Sequence, residues 1–311
     1  MARKDKLKTI LVTGSEGFVG SHLIQVLDEV LYKIEPVCYP LLVPKDGMCI
    51  PLDILNLEMT KDVLKLHQPD IIFHLAAISS VSKSFRDPPL TYNTNIMGTV
   101  NLLEAAKSLK KAVRFIFVST CEIYGGGENI LETAKIVLKN PYAVSKYAAE
   151  MVCQNYAIDG IEYVILRSFT HTGPGQVKDF VLPTVAMQIA EIEKNKRPPL
   201  IELGNTEVRR EFMNIDDIIN AYKLAIEKCK PGNIYNISSN RGYTIAQAIE
   251  IFKKLSKVKF ETKTDPSKIR KVDIPVLIGN GDKFSRLTGW KPRVKFEKTI
   301  EDLLNYWRAK L

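Results

Sequence analysis

Through the first half of the chain, short apolar runs alternate with segments whose apolar residues recur at helical spacing. TILVT (9–13) is a β-branched run that predicts a strand, and HLIQVLDEVLYK (22–33) carries Leu23, Ile24, Leu27, Val30 and Leu31 at the spacing of a helix. Further strands are expected at about 34–39 (IEPVCY) and 49–53 (CIPLD), then a helix over 55–68 stopped by Pro69. IIFHLAA (71–77) and VRFIFVST (113–120) lack a polar face, as strands buried on both sides do. Between them ISSVSKSFRDPP (78–89) is expected to be a loop or lid, and 91–110 a long helix. PYAVSKYAAEMVCQNYAI (141–158) opens with Pro, which suits the first turn of a helix, and IEYVILRSF (161–169) is a sixth strand.

Strands of this kind separated by helical patterns predict an α/β fold, a doubly wound parallel sheet with helices on both faces. After residue 170 loops lengthen and become more polar, helices at 179–194 and 215–229 alternate with short segments such as PLIELG, and the chain ends in the amphipathic EKTIEDLLNYWRAKL. The expected organisation is a main sheet domain over 1–170, joined by returning elements from 212–240 such as YNIS (235–238), and a smaller domain that takes up most of 171–311.

Composition narrows the class. Hydrophobic residues are 45% and charged residues 25% of 311, with 17 Gly and 16 Pro, which excludes a disordered or fibrous chain. Forty-four Lys and Arg against 35 Asp and Glu give +9, a balance that favours anionic partners. The basic residues are spread along the chain without a nucleic-acid-binding spacing, so a small phosphorylated ligand is expected rather than nucleic acid. Cys38, Cys49, Cys121, Cys153 and Cys229 are widely spaced, mostly inside apolar runs, and form no CxxC pair. That pattern predicts reduced core thiols in a reducing compartment. Four histidines without ligand spacing predict no metal site. The basic start MARKDKLK runs straight into a strand, and no run of 18 apolar residues occurs, so a soluble cytoplasmic protein with no membrane partner is expected.

The chemistry begins at Gly14, Gly17 and Gly20, a G-x-x-G-x-x-G turn between the first strand and the first helix. Without Cβ atoms in the way, a dinucleotide pyrophosphate can approach the free N–H groups of a helix N-terminus. Asp53, after the third strand, is placed to meet an adenine edge or to cap a helix. The acid that would bind an unphosphorylated adenosine ribose at the end of the second strand is absent, the sequence there being VCYPLLVPK. Lys45 could face a 2'-phosphate, which sets NADP slightly ahead of NAD. Tyr142 and Lys146 are one helical turn apart. Taken alone, that spacing is common on helices. Beside a nucleotide turn, and with Thr120 at a central strand end, it becomes a candidate acid/base pair, in which the lysine cation favours the phenolate.

TGSEGFVG, HLAA (74–77), STCEIYG (119–125) and PYAVSK (141–146), in this order, resemble the extended short-chain dehydrogenase/reductase family, whose members act on nucleotide sugars, and the resemblance covers essentially the whole chain. It implies a Rossmann-like domain over 1–170 and a smaller C-terminal nucleotide-sugar-binding domain. RSFTHTGPGQ (167–176), IELGNTEVRREF (201–212) and DIPVLIGN followed by LTGW are similar to the branch that reduces GDP-4-keto-6-deoxy-D-mannose to GDP-D-rhamnose with NAD(P)H. GDP-mannose 4,6-dehydratases share part of this pattern and form the main alternative. A related epimerase is a third reading, and a non-catalytic nucleotide-binding subunit one from another class.

The resemblance makes Tyr142 the acid/base, Lys146 the nicotinamide-ribose ligand that lowers the tyrosine pKa, and Thr120 the group that holds the sugar O4. Glu122 falls where dehydratases keep the glutamate that removes the C5 proton. The cofactor site is expected to comprise Gly14, Glu16, Gly17, Phe18, Val19, Gly20, Asp53, Ile54, Leu75, Ala76, Ala77 and Asn95 together with Tyr142 and Lys146. The substrate site is expected to comprise Ser79, Thr120, Thr170, Gln176, Arg210 and Arg270, with Arg210 on the diphosphate and Arg270 toward the nucleotide. Thr170 stands where the family usually has asparagine, and Lys271 where a proline is common. The partner implied is a GDP-sugar, and the assembly a homodimer formed through helices 91–110 and 141–158. His74, Cys121, Trp290 and Trp307 read as packing residues, and His171 as a candidate neighbour of the substrate.

Overall fold

The computed structural model describes residues 7–27, 29–40, 49–269 and 273–311. Lys45, Arg270 and Lys271, named above, lie outside the described residues. Along the chain run β1 (Lys8–Thr13), α1 (Phe18–Val26), β2 (Tyr32–Cys38), β3 (Ile50–Pro51), α2 (Leu57–His67), β4 (Ile71–His74), α3 (Val81–Arg86), α4 (Pro88–Tyr92) and α5 (Gly98–Ser108). There follow β5 (Val113–Thr120), β6 (Gly127–Ile130), α6 (Pro141–Asn155), β7 (Ile161–Ser168), β8 (His171–Thr172), α7 (Val181–Glu193), β9 (Leu200–Leu203) and β10 (Arg209–Arg210). The last part holds β11 (Met213–Asn214), α8 (Ile215–Lys228), β12 (Asn233–Ile237), β13 (Tyr243–Thr244), α9 (Ile245–Leu255), β14 (Glu261–Thr264), β15 (Val276–Gly279), α10 (Asp282–Thr288) and α11 (Phe296–Lys310).

Seven strands form one sheet in the order β12-β7-β5-β4-β1-β2-β3. The pairs β1–β2, β1–β4, β2–β3 and β4–β5 are parallel, with Ile10 level with Ile34 on one side and Ile71 on the other. This is the Rossmann-like doubly wound sheet that the unbroken apolar runs predict. All four residues of β4 and all but the first of β1 are buried, around a core that includes Leu11, Ile72, Leu102, Phe115 and Phe117. From β1 the chain builds outward in both directions, so the order reverses between β1 and β4, and strand ends at such a switch point are where open α/β sheets bind ligands.

The described residues divide into two compact units, one of Met1–Ile123, Asn140–Arg167 and Tyr222–Tyr235, the other of Tyr124–Lys139, Ser168–Ala221 and Asn236–Leu311. The second unit has its own core, in which α7, α9 and α11 contribute Leu182, Ile189, Phe252, Ile300, Leu303 and Trp307. Its strands form a sheet in the order β13-β10-β15-β6 and two small pairs, β11–β8 and β14–β9. Thr244 and Gln247 close a reciprocal capping box at the start of α9. Among the described residues no helix is long and apolar enough to cross a membrane, and no cluster of His, Cys, Asp or Glu could hold a metal ion.

Three local expectations are corrected. The first helix ends at Val26, because the chain must already be extended at Tyr32 to pair with Lys8, and Val30 and Leu31 are exposed. The expected loop at 78–89 is mostly helical: Ser80 accepts the Lys83 N–H to cap α3, and Asp87 accepts the Leu90 N–H to cap α4, which opens with Pro88 and Pro89. The helix expected over 91–110 is interrupted by a π-turn at Asn93–Met97.

The five cysteines are not all thiols. Cys38 ends β2 and Cys49 precedes β3, and the parallel pairing of Val37 with Ile50 brings their Cα atoms to 6.0 Å, where a disulfide joins them. Cys121, Cys153 and Cys229 are free and buried.

Candidate active site

The glycine turn is shaped by contacts that exclude side chains. Gly14 has φ +70°, and a Cβ there would lie 2.8 Å from the Ala76 nitrogen, so the turn presses directly against the end of β4. A Cβ on Gly20 would stand 2.1 Å from the Gly14 carbonyl oxygen and 2.7 Å from the Ser15 Cα. Gly17 caps α1 with no side-chain bond, which leaves first-turn N–H groups for an anion. Gly20→Ala is therefore expected to destabilise the fold by about 1–3 kcal/mol, as overpacking against backbone does, and to weaken dinucleotide binding. Thermal unfolding and a fluorescence titration check this, and an unchanged melting temperature with unchanged affinity contradicts it.

Behind the turn lies a closed chain of protons. Thr99 Oγ1 donates its one proton to the Asn95 carbonyl at 2.7 Å, so it accepts from His74 Nε2–H at 3.1 Å. His74 Nδ1 then accepts from the Thr13 hydroxyl at 2.7 Å, whose oxygen accepts the Ala76 N–H at 3.3 Å. Burial first, and the nearby Lys146 second, push the imidazole down to about 3, so His74 is a neutral group holding β1 against the segment after β4. Asn95 is likewise engaged: its amide donates to the Ile78 carbonyl and the Ser145 hydroxyl and accepts the Ile78 N–H. Its side chain thus ties the strand end to α6, which bears the candidate acid/base pair. Leu75, Ala76 and Ala77 line that strand end half-buried, Ser79 is exposed, and Asp53 accepts the Leu55 N–H just before the buried Asn101–Ile54 bond.

Tyr142 and Lys146 sit in the first two turns of α6, both buried, with Thr120 at the end of β5. The Tyr142 phenol and the Thr120 hydroxyl are hydrogen-bonded. Burial holds the phenol well above its ordinary range against that bond, and Cys121, Glu122 and Tyr222 add to the effect. The expected lowering by Lys146 is not seen. The lysine is itself pushed down to about 8 by burial, and its ammonium lies 4.0 Å over the face of Phe117. Tyr142 therefore rests as a protonated donor.

Two supports of this pair carry no signature in a family motif. Asn140 accepts the Ala143 N–H at 2.7 Å as the cap of α6 and donates to Glu122 at 3.0 Å, so the Glu122 carboxylate braces the turn that presents Tyr142. Glu150, one turn beyond Lys146 and 0% exposed, takes three bonds of 2.7–3.2 Å from Arg167 on β7 and one from the Ser119 hydroxyl, next to Thr120. A lone arginine inside the apolar run YVILRSF is the sign in the sequence that a buried carboxylate has to face it.

In the second unit, Arg210 is buried on β10 and its guanidinium donates to the Arg209 carbonyl at 2.8 Å. Gln176 is buried, accepting from Thr172 at 2.6 Å and donating to the His171 carbonyl at 3.3 Å. The Thr170 carbonyl accepts the Met213 N–H at 2.9 Å, in the β8–β11 pair. Beside Arg210 stands Glu211, which no sequence motif singles out; its carboxylate receives Ser238, the N–H and hydroxyl of Ser239, and the Gly279 N–H at 2.6–3.0 Å. Burial nevertheless pushes it up to about 7.

A glycine turn at the switch point of a parallel sheet, with a buried tyrosine–lysine pair and a threonine at the next strand end but one, defines a nicotinamide-dependent oxidoreductase. A family model described as GDP-mannose 4,6 dehydratase matches residues 44–303. GDP-6-deoxy-D-mannose reductase of Pseudomonas aeruginosa is 30% identical over 97% of this chain and 98% of its own. GDP-6-deoxy-D-talose 4-dehydrogenase of Aggregatibacter actinomycetemcomitans is 32% identical over 90% of this chain and 91% of its own. Among solved structures, that of RMD from Pseudomonas aeruginosa complexed with NADPH superposes with a TM-score of 0.88 at 30% identity, over 98% of this chain and 100% of that one. UDP-glucose 4-epimerase of Thermotoga maritima gives 0.85 at 30% identity, over 97% of this chain and 99% of that one. The chain belongs to the extended short-chain dehydrogenase/reductase family of nucleotide-sugar enzymes. It is an NAD(P)-dependent oxidoreductase and binds NAD or NADP.

Proposed function

We propose that the protein reduces the C4 ketone of GDP-4-keto-6-deoxy-D-mannose to GDP-D-rhamnose. The observation that carries this reading is the similarity to a GDP-6-deoxy-D-mannose reductase over nearly the whole chain, with buried Tyr142 and Lys146 on α6 and Thr120 at the end of β5 in place for proton transfer to O4. A ketone reductase needs a proton donor poised at the forming alkoxide, whereas a dehydratase first needs a base to take the proton from a C4 hydroxyl.

The glycine turn fits a dinucleotide, since Gly14 and Gly20 let it close tightly on Ala76 and Ser15 while Gly17 puts no side-chain cap over the first-turn N–H groups of α1. Gly14, Gly17 and Gly20 with the first-turn N–H groups of α1 would hold the pyrophosphate, and Lys146 the nicotinamide ribose. When bound in reduced form, the cofactor supplies the hydride that C4 accepts. Thr120 and Tyr142 hold the ketone oxygen between two hydroxyl donors, so negative charge developing on O4 meets preorganised dipoles. Tyr142 then delivers its proton to O4, and the Lys146 ammonium favours the phenolate left behind. Glu122 accepts a hydrogen bond from Asn140 and so braces the start of α6. We assign the GDP-sugar phosphates to Arg210 in the second unit, and a homodimer to the same reading.

Retention of Glu122 keeps a GDP-mannose dehydratase as the second reading. With GDP-4-keto-6-deoxy-D-mannose, the near-ultraviolet absorbance of the reduced cofactor should fall in step with loss of the ketone. Conversion of GDP-mannose to its 4-keto-6-deoxy form without net cofactor consumption, and no reduction of the keto sugar, contradicts the proposal.

A further inference from the structure

The end of β2 is where this fold chooses between cofactors. An acid there accepts hydrogen bonds from the adenosine ribose hydroxyls, whereas a cation there accommodates a 2'-phosphate. The chain has neither at the strand end itself, where Val37, Cys38 and Tyr39 stand. The structure brings an acid from another element. Ser15 is buried, and its N–H and hydroxyl both donate to the Val37 carbonyl at 3.1 and 3.0 Å, which fastens the glycine turn to the end of β2. The next residue, Glu16, reaches across and accepts the Tyr39 N–H at 3.4 Å. Tyr39 is the first residue beyond the strand, so the Glu16 carboxylate occupies the place of the missing acid. Among the described residues no cation forms an ion pair with it.

We infer that Glu16, reaching from the glycine turn to the end of β2, is the specificity-determining residue that makes this enzyme prefer NAD(H) to NADP(H). The inference rests on dinucleotide binding at the glycine turn and assigns a role within it. A carboxylate held by a backbone N–H keeps lone pairs for two ribose hydroxyls, and charge-assisted bonds of this kind are the stronger ones. A 2'-phosphate would bring close to two negative charges against the same carboxylate. At a partly solvated site such repulsion changes affinity by about tenfold or more. This reverses the slight preference for NADP drawn from the absence of an acid in VCYPLL. The relative solved with NADPH marks the phosphorylated cofactor as within reach of the fold, so the choice falls to residues at this edge.

The test is direct binding rather than turnover. NADH and NADPH are titrated separately into the wild type, Glu16→Gln and Glu16→Lys, with cofactor fluorescence as the readout and circular dichroism to check folding. Glu16 is exposed, so these variants should fold. The wild type is expected to bind NADH about tenfold or more tightly than NADPH, with the gap narrowing as salt is raised. Glu16→Gln should shrink the gap chiefly by tightening NADPH, and Glu16→Lys should invert it. An NADPH affinity in the wild type equal to or above that of NADH, or a ratio unchanged in Glu16→Gln, overturns the inference. Failure of every form to bind either cofactor would instead strike at the glycine turn as a dinucleotide site.

Discussion

Tyr142→Phe is expected to lower turnover by about 10²- to 10⁴-fold, the contribution of a positioned general acid, with cofactor and substrate affinities nearly unchanged. Only one hydroxyl is lost. The ring keeps its buried place in the first turn of α6, and Thr120 remains at the end of β5 to hold O4. What disappears is the proton for the alkoxide, which water cannot readily supply in a buried site. Lys146→Met is the comparison: it should slow turnover and weaken cofactor binding together, because the lysine is assigned to both the phenolate and the nicotinamide ribose. Steady-state kinetics with separate titrations distinguish the two, and a Phe variant within threefold of wild type would remove Tyr142 from the mechanism.

The second large effect concerns stability. Arg167→Met leaves the Glu150 carboxylate, 0% exposed, with the Ser119 hydroxyl and the attraction of Lys146 but without its three guanidinium bonds. Breaking a buried pair from one side costs about 3–5 kcal/mol, whereas replacing both partners with apolar groups of similar volume costs far less. Arg167→Met and Glu150→Leu should each be strongly destabilised in denaturant unfolding, and the double variant should regain most of the loss. A single variant within about 1 kcal/mol of wild type would show that the pair is not the brace between β5, β7 and α6.

Much of this architecture is legible in the order of the amino acids. Apolar strands without a polar face require a sheet covered on both sides, and Gly14, Gly17 and Gly20 between such a strand and a helix require a close backbone approach. The tyrosine and lysine are legible from their spacing once that turn is in place. Other features depend on partners distant in the chain. The disulfide follows from a two-residue pairing of β3 with β2 that no cysteine spacing reveals. The helices in 78–92 are marked by their caps, Ser80 and Asp87-Pro88, but are too short to show periodicity. Glu150 reads as an ordinary helix residue until β7 sets Arg167 against it. Glu16 enters the expected cofactor site through the family resemblance, but its reach to the end of β2 shows only once Ser15 binds the turn to Val37. The lysine one turn away leads one to expect a lowered phenol, whereas burial raises it against the hydrogen bond of Thr120.

The central claim, that Tyr142 and Thr120 receive a 4-keto sugar for reduction, is tested most directly by isotope transfer. Reduced cofactor carrying deuterium at the transferable position of its nicotinamide is supplied with GDP-4-keto-6-deoxy-D-mannose, and the sugar product is examined by NMR. The account predicts one deuterium at C4 for each cofactor oxidised, in a product with the D-rhamno configuration. Unlabelled sugar with the cofactor intact, alongside dehydration of GDP-mannose by the same preparation, would contradict it.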